Sequence, residues 1–207
     1  MGADATLLNL SDGNGDRATA RSQVQNLVDE GHRLYLHVHP VESGKARDDL
    51  RACLVPGVYG VSLPRLLTET QLRYIDGVLE ELEPASGIEL GRTAIAAWLA
   101  TAGALVEAPA IAMASHRLTW LGLDSAALRD QMQLDADDAQ ALDYPRSAVA
   151  YASRAAGLPA VDGLERERTG EAEVATARSA ARLGLRGKLT RRAEVLPELA
   201  SIFPHAD

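Results

Sequence analysis

Two histidines that are separated by one residue, His37 and His39, are the side chains best suited by type to take part in chemistry. Alternate residues of a β-strand point to the same side, so both imidazoles can face one cavity. Asp12 and Asp124 each follow an apolar segment and can face the same cavity. A His-x-His pair with nearby carboxylates is a conceivable transition-metal site, because imidazole is a good ligand for zinc, iron or nickel.

Two other roles remain open for these histidines. They can be neutral polar residues inside the protein, hydrogen-bonded to Asn9 or Ser11 across a barrel. Alternatively, His37 and Arg65 can together bind a small carboxylate or phosphate. The residue types are therefore compatible with a metal site, an inert polar cavity or an anion site.

Other residues that could do chemistry have simpler interpretations. The Gly13-Asn14-Gly15 segment resembles a phosphate-binding loop in composition, but it lacks the lysine and the serine or threonine of a P-loop, so we expect a turn. Trp98 and Trp120 lie on predicted strands and are expected to be packing residues. Arg191 and Arg192 could reach a phosphate, but an exposed arginine pair is usually a solvated surface.

Seven short apolar segments, separated by helical stretches, predict the elements that position these residues. The segments are apolar on both faces rather than alternating, as strands of a parallel sheet covered by helices require. Alternation of strands and helices predicts an α/β fold, here a TIM-barrel-like parallel (β/α) barrel. The segments are 2–13, 34–38, 58–63, 93–99, 117–122, 158–163 and 185–190.

Amphipathic spacing and end signals predict the helices between these strands. Asp16 is expected to cap a helix over 17–30, and Thr68 to cap the helix in TETQLRYIDGVLEELE. Loops are expected at 84–87 and 134–143. Further helices are predicted near 45–54, 102–114, 124–132, 139–156, 168–183 and 194–202.

Seven strands are one fewer than a closed eight-stranded barrel contains, which leaves two unpaired edges. We expect residues 1–207 to form one incomplete (β/α)8-type barrel domain that apparently lacks the first strand-helix unit. The barrel could close imperfectly on seven strands, a partner chain could cover the gap, or the natural gene product could extend upstream.

The composition excludes some classes of protein. A net charge of −8, with the arginines scattered among acids, argues against nucleic-acid and anionic-membrane partners. The single cysteine, Cys53, cannot form an internal disulfide and is expected to be a buried structural thiol. The start MGADATLL has neither the basic nor the apolar region of a signal peptide, so a cytoplasmic location is expected.

Several segments, in order along the chain, resemble the citrate lyase β-subunit-like (HpcH/HpaI aldolase) family of TIM-barrel lyases. They are GADATLLNLSDG, LYLHVHP, SLPR, TAGALVEA, RAAGLPAVDG and ARLGLRGK, and together they cover nearly the whole chain. The resemblance implies carbon–carbon bond chemistry on a malyl-, citryl- or related coenzyme A thioester, with Mg²⁺ as cofactor and assembly as a trimer. The phenylalanine-and-proline motif at the start of the family's barrel has no counterpart here.

Most of the substrate-binding positions that the resemblance implies carry other residues in this chain. Of the family's aspartate-leucine-glutamate-aspartate motif, only Asp12 remains. The family's substrate-binding arginine falls on His37, the asparagine that follows it on His39, and the lysine of the leucine-proline-lysine motif on Arg65. A permanently charged, forked donor for a carboxylate is thereby replaced by a histidine.

The family's two metal-binding carboxylates are also replaced. The first falls on Ala100 and the second on Ser125, which follows Asp124 at the position of a neighbouring glutamate. The late isoleucine-histidine-proline motif reads Arg191, Arg192, Ala193. Mg²⁺ requires oxygen ligands, usually including one or two carboxylates, so no metal or other cofactor is expected and the inherited mechanism should fail.

We therefore expect a catalytically impaired member of this lyase family that binds a small organic acid or acyl-CoA. One alternative is an active lyase or hydrolase with a rebuilt His/Asp site. Another is a non-catalytic structural or regulatory subunit that pairs with itself or with an active paralogue. No catalytic residue is assigned; the cavity candidates are His37, His39, Arg65, Asp12 and Asp124.

Overall fold

The computed structural model describes residues 3–11, 16–135, 138, 140–164 and 169–204. Within these residues, seven parallel strands form one curled sheet in the order β1 to β7, with each strand hydrogen-bonded to the next. This arrangement confirms the predicted α/β, TIM-barrel-like fold. The strands are β1 Thr6–Asn9, β2 Leu34–His37, β3 Gly60–Leu63, β4 Ala94–Leu99, β5 Leu118–Leu123, β6 Ala160–Asp162 and β7 Gly187–Lys188.

Helices connect successive strands and cover the outside of the sheet. Both predicted caps are confirmed: the Asp16 carboxylate accepts a hydrogen bond from Thr19 N at 2.8 Å, and the Thr68 hydroxyl accepts one from Gln71 N at 3.4 Å. The helices are α1 Arg17–Asp29, α2 Ala46–Cys53, α3 Glu69–Ala85, α4 Ala102–Val106, α5 Ala108–Ala112, α6 Ser125–Met132, α7 Asp143–Ala155, α8 Gly170–Arg182 and α9 Leu196–Ile202, with short 3-10 turns at Val41–Ser43 and Ala193–Val195.

The loop that was predicted at 84–87 is wrong in its first half, because α3 continues through Pro84 to Ala85. Proline lacks an N–H group and usually ends a helix. Here the last turn is closed around it, since Ser86 N donates to Leu82 O at 2.9 Å and Ile88 N donates to Glu83 O at 2.8 Å. None of the helices in the described residues is both long and apolar enough to cross a membrane.

The sheet separates two apolar regions. The larger lies between the outer face of the sheet and the helices, where Leu36, Val61, Ile95 and Leu121 from four neighbouring strands are fully buried. The smaller lies inside the curled sheet and contains Tyr35, Ala94 and Ala96, packed against Ala5, Leu7, Tyr59 and Trp120. Burial on both faces explains why the strand sequences are apolar without alternation.

A buried ion pair joins the end of α3 to the starts of two strands. Arg117, just before β5, donates to both carboxylate oxygens of Glu83, at 2.8 and 3.0 Å. The backbone N–H groups of Gly91 and Thr93 donate to the same carboxylate at 2.7 Å each. Burial alone would raise the pKa of Glu83, but these hydrogen bonds from Arg117, Gly91 and Thr93 lower the pKa to about 2.

We expect the Glu83→Gln variant to be destabilised by about 3 kcal/mol, because it removes the two-pronged, fully buried partner of the Arg117 guanidinium and leaves only the partly exposed Asp76, 3.3 Å from Nε, as a counter-charge. In the wild type, the lowered pKa contributes about 3 kcal/mol to folding above pH 4.5, and this contribution is lost as the pH falls towards 2. Urea unfolding at several pH values measures both effects. Glu80→Gln, an exposed change on the same helix, is the control; equal stability of the two variants would contradict this assignment.

Candidate functional site

A cavity of about 690 Å³ opens between the two edge strands of the sheet and contains residues from the inside of the barrel. The side chains of α9 form its outer wall. Because residues of β1 and β7 both line it, the cavity lies at the opening between the two edge strands of the barrel. Its lining includes Leu7, Asn9, Tyr35, His37, Trp98, Trp120, Val161, Gly187, Lys188, Leu196, Leu199 and Ala200.

The indole of Trp98 on β4 stands across the interior of the barrel. Its Nε1 donates a hydrogen bond to Ser62 Oγ at 2.9 Å, and Ser62 Oγ lies 2.9 Å from His37 Nδ1. The rings of Trp98 and Trp120 meet edge to face, with centroids 4.8 Å apart. Ser62 and Trp98 are buried, so these two hydrogen bonds fix the orientation of both the indole and the imidazole. Trp98 and Trp120 are packing residues, as expected, and they also form a wall of the cavity.

Two glycines make room for the aromatic side chains. A Cβ atom at Gly122 would lie only 2.4 Å from Trp98 Cε3. A Cβ atom at Gly60 would lie 2.7 Å from Tyr35 Cε1 and 2.7 Å from the carbonyl oxygen of Ala94. Contacts this short cannot exist in a packed interior, so both positions require glycine.

The amino-terminal half of the barrel interior is aromatic. The Tyr35 hydroxyl donates to Thr119 Oγ1 at 3.0 Å, since the Thr119 hydroxyl itself donates to Ile95 O. Burial raises the pKa of Tyr35 above its ordinary value. Tyr59 packs edge to face against Tyr35, and the Arg33 guanidinium lies 3.9 Å from the centre of the Tyr59 ring and donates to its hydroxyl. This half of the barrel is therefore closed by packed rings.

His39 does not share the cavity with His37. Its Nδ1 lies 2.6 Å from Asp49 Oδ2 on α2, and its backbone N–H donates to the same oxygen at 2.9 Å. The expected hydrogen bonds from the histidines to Asn9 or Ser11 are replaced by the bonds to Ser62 and Asp49, because Asn9 Oδ1 instead accepts from the backbone N–H and hydroxyl of Ser11, at 2.9 and 2.8 Å. The loop after β2 turns His39 outwards, towards the helix.

Arg65 and Asp124 lie near each other at the carboxyl ends of β3 and β5. Asp124 caps α6, where its carboxylate accepts from Ala127 N at 3.1 Å. Burial raises the pKa of Asp124, while the hydrogen bond from Ala127 and the positive charge of Arg65 partly oppose this shift. Arg65 has a φ of 48°, a left-handed conformation that is uncommon for a residue with a side chain. The Asp124 carboxylate therefore serves as the N-terminal cap of α6.

A buried polar cluster, which the sequence did not predict, connects the start of α6 with α7, β6 and β7. Ser125 Oγ donates to Asp162 Oδ1 at 3.0 Å. Arg146 donates to both oxygens of Asp162, at 3.2 and 3.1 Å, and Lys188 Nζ donates to Asp162 Oδ2 at 3.3 Å. The side chain of Asp162 is completely buried. The one signal was the position of an aspartate directly after an apolar strand, at a barrel's carboxyl-terminal face.

The remaining candidates lie in different places. Arg191 is exposed and Arg192 partly exposed, as expected of a solvated pair, and both also line the mouth of the cavity; Arg192 Nε lies 3.3 Å from Glu173 Oε2. The short helix α9 and the 3-10 turn before it bring this pair back towards the barrel opening. Asp12 and the Gly13-Asn14-Gly15 segment lie outside the described residues.

The described residues do not fit a magnesium ion. The Ala100 methyl group is buried and offers no ligand atom, and the buried Ser125 hydroxyl is used as a donor to Asp162. Asp124 is held by the helix N-terminus. Among the described residues, no group of three or more histidine, cysteine, aspartate or glutamate side chains is arranged to hold a metal ion. Mg²⁺ would need carboxylate oxygens at these two positions, where Ala100 has only a methyl group and the Ser125 hydroxyl is already hydrogen-bonded to Asp162.

Comparison of the sequence with known protein families identifies a match. Residues 1–193 match the family model described as HpcH/HpaI aldolase/citrate lyase. The chain therefore belongs to the HpcH/HpaI aldolase/citrate lyase family.

Curated relatives support this assignment. The chain is 27% identical over 169 residues to the citrate lyase subunit beta of Leuconostoc mesenteroides, a match that covers 78% of this chain and 56% of the relative. It is 27% identical over 179 residues to the subunit beta of Escherichia coli K12, covering 82% and 59%. The chain thus spans somewhat more than half the length of the curated relatives it matches.

Solved structures share the fold. A citrate lyase from Burkholderia xenovorans superimposes with a TM-score of 0.82 at 17% identity, covering 98% of this chain and 69% of that chain. A Haloferax volcanii malate synthase in complex with magnesium and glyoxylate gives a TM-score of 0.81 at 16% identity, with 99% and 67% covered. The citrate lyase beta subunit of Mycobacterium tuberculosis, complexed with oxaloacetate and magnesium, gives 0.70 at 19% identity, with 98% and 88% covered.

We expect Gly122→Ala to destabilise the fold by about 1–3 kcal/mol, because the added methyl group overlaps the Trp98 ring. Gly77→Ala is the matched control, since Gly77 lies on the exposed face of α3 with no atom within 4 Å of its added methyl group. That control should be stabilised by about 0.5–1 kcal/mol. Chemical denaturation, followed by tryptophan fluorescence, measures both; a Gly122→Ala variant as stable as the wild type would contradict the placement of Trp98.

Proposed function

We propose that this chain is a citrate lyase β-subunit-like protein that binds a small organic acid or an acyl thioester and does not carry out magnesium-dependent carbon–carbon cleavage. The observation that carries this proposal is the pair Ala100 and Ser125, which stand where the family resemblance expects metal-binding carboxylates. The buried Ala100 offers only a methyl group, and the Ser125 hydroxyl is engaged by Asp162.

The loss of both carboxylates matters because of the family's chemistry. A bound divalent ion would supply Lewis-acid stabilisation of developing negative charge, a contribution worth several kcal/mol. Asp124 does not compensate, since its carboxylate caps α6, where it accepts a hydrogen bond from Ala127 N at 3.1 Å. The described residues therefore offer no replacement for the missing charge, and no catalytic step is assigned to them.

Binding of an acid is supported by the charge around the cavity. Its described lining contains five basic residues, Arg33, Arg186, Lys188, Arg191 and Arg192, and one acidic residue, Asp4, although the whole chain carries a net charge of −8. Lys188 is already paired with Asp162 and Arg192 with Glu173, so the proposed anion site rests mainly on Arg186 and Arg191. Guanidinium groups bind carboxylates and phosphates in a bidentate manner. An anionic ligand is the class that this lining favours.

An acyl thioester as ligand is supported by the apolar part of the same cavity. The rings of Trp98 and Trp120 form one wall, and Leu196 and Phe203, at the two ends of α9, contribute to the other. Ligand cavities of about 300–1,000 Å³ are typically lined by such apolar groups with a few polar ones. The 690 Å³ cavity can therefore hold an acyl group beside an anionic head.

A second candidate function rests on the contact between His39 and Asp49. A carboxylate 2.6 Å from Nδ1 holds an imidazole in the orientation and tautomer that leave Nε2 as a proton acceptor. In this alternative the chain is a lyase or hydrolase with a rebuilt site. Thioester turnover that persists in EDTA and is lost in His39→Gln, but not in the exposed control His32→Gln, would establish it in place of the first proposal.

We expect oxaloacetate or acetyl-CoA, titrated by calorimetry, to bind equally well, within about twofold, in Mg²⁺ and in EDTA. Arg191→Ala should weaken ligand binding by roughly 10-fold, because it removes a guanidinium of the cavity mouth that can pair with the ligand's carboxylate or phosphate. Arg73→Ala, which removes an exposed arginine of α3, is the control and should have no effect. Binding that requires Mg²⁺, or magnesium-dependent cleavage of malyl- or citryl-CoA, would contradict the proposal.

A further inference from the structure

A second cavity, of about 560 Å³, lies at the amino-terminal end of the barrel. Its lining comes from the three loops that lead into β3, β4 and β5, within residues 56–59, 88–94 and 116–119, and we call it the amino-terminal cavity. The active sites of parallel barrels lie at the opposite end, whereas the amino-terminal end normally serves stability. Small-molecule sites have volumes of about 300–1,000 Å³, so this end of the barrel also offers room for a ligand.

The shape of the amino-terminal cavity is fixed by the buried ion pair described above. Thr93 N donates to the Glu83 carboxylate at 2.7 Å, which holds the loop before β4. Arg117 donates to the same carboxylate at 2.8 Å and to Thr93 O at 3.2 Å, which joins the loop before β5 to it. Tyr59 O accepts from Ala94 N at 3.0 Å, which joins the loop before β3. Because the three loops are already ordered, a ligand loses little affinity to ordering them.

The buried residues of the lining form an apolar floor. Val58 and Ala94 are only 7% and 9% exposed. The polar groups beside them are already hydrogen-bonded: the Arg117 guanidinium pairs with Glu83, and the Thr119 hydroxyl donates to a backbone carbonyl oxygen at 3.0 Å. Polar groups that are satisfied within the protein add little attraction for a polar ligand group. The floor therefore favours an apolar part of a ligand.

Two opposite charges stand at the mouth of the amino-terminal cavity. Arg92 Nε lies 3.8 Å from Glu89 Oε2, and the two side chains are 73% and 82% exposed. An exposed pair of this kind contributes little to stability, so each group can turn to another partner at little cost. His116 is exposed at the same mouth. With this imidazole counted as neutral, the formal charges cancel, so the mouth favours neither a simple anion nor a simple cation.

We propose that the amino-terminal cavity binds a free α-amino acid with an apolar side chain. In such a ligand one carbon atom carries both the carboxylate and the ammonium group, so its two charges are adjacent, as those of Arg92 and Glu89 are. Arg92 binds the carboxylate as a forked donor, and Glu89 accepts from the ammonium group. The apolar side chain enters between the loops and packs against Val58 and Ala94.

This site is independent of the acid site proposed at the opening between the edge strands. An organic diacid or an acyl-CoA would bring uncompensated negative charge towards Glu89, whereas an amino acid brings one charge of each sign. Arg191→Ala, which alters the other cavity, should therefore leave amino-acid binding unchanged. Failure of the acid-binding proposal and failure of this one can thus be told apart.

A titration of the isotope-labelled full chain with L-phenylalanine, followed by two-dimensional NMR, tests the proposal. We expect saturable shifts of the backbone amides of residues 57–59, 91–93 and 116–117, with a dissociation constant of about 5 mM or lower. Phenylpropanoate, which lacks the ammonium group, and phenylethylamine, which lacks the carboxylate, should each bind at least roughly 10-fold more weakly. Equal binding of either analogue would overturn the proposal, since one charge would then suffice.

Substitution of the two charges tests their roles separately. Glu89→Gln and Arg92→Gln should each weaken the binding of L-phenylalanine by roughly 10-fold, because each removes a charge-assisted hydrogen bond. Glu69→Gln and Arg73→Gln are the matched controls, since Arg73 and Glu69 form a solvent-accessible ion pair on α3, 3.6 Å apart, that does not line the cavity. The controls should bind as the wild type does, and thermal melts of all four variants should coincide with that of the wild type.

Two results would contradict the assignment of the site. The first is an absence of amide shifts in the wild type up to about 20 mM L-phenylalanine. The second is a set of shifts confined to residues 186–192, because the amino acid would then occupy the cavity between the edge strands instead.

Discussion

The position of the Trp98 indole controls the arrangement of the barrel interior. It crosses the barrel because residue 122 on the neighbouring strand has no side chain, and it stays there because Ser62 accepts its N–H at 2.9 Å. The same hydroxyl lies 2.9 Å from His37, so one serine fixes the orientation of both rings. The space left by Gly122 and the hydrogen bond to Ser62 thus both fix the Trp98 side chain, and the shape of the cavity depends on its position.

Two buried ionic clusters support this interior from outside the sheet. Glu83 and Arg117 join α3 to β4 and β5 at the amino-terminal end. Asp162 on β6, with Arg146, Lys188 and Ser125, joins that strand to β7, α6 and α7 at the carboxyl-terminal end. Buried charges cost free energy unless they are paired and hydrogen-bonded, so each cluster fixes one geometry of the elements it joins. In the second cluster, the Ser125 hydroxyl, which stands where the resemblance expects a metal ligand, is hydrogen-bonded to Asp162.

Much of the fold could be predicted from the sequence, because apolar segments and helix caps are local signals. All seven strands and the caps at Asp16 and Thr68 were found in this way. The continuation of α3 through Pro84 was missed, since the bonds that close its last turn come from residues after the proline. The family also followed from motif order, which survives at low sequence identity.

The candidate site was harder to predict, because its contacts join residues that are distant in sequence. Alternation along β2 placed His37 correctly, but His39 lies beyond the strand, where a helix supplies Asp49 as its partner. The pairing of Trp98 with Ser62 spans 36 residues and has no local signal. Arg191 and Arg192 were named as able to reach a phosphate, but their place beside the cavity could not be predicted, because it depends on how α9 returns to the barrel opening.

We propose that Ala100 and Ser125, which stand where the family resemblance expects metal-binding carboxylates, leave this protein unable to hold Mg²⁺. Electron paramagnetic resonance of Mn²⁺, a spectroscopic substitute for Mg²⁺, measures this directly in the wild-type protein. We expect the spectrum of free aqueous Mn²⁺ to persist at about 1 mM protein, with or without oxaloacetate. A stoichiometric bound signal that is lost in Ser125→Ala or in Asp124→Asn would contradict the account.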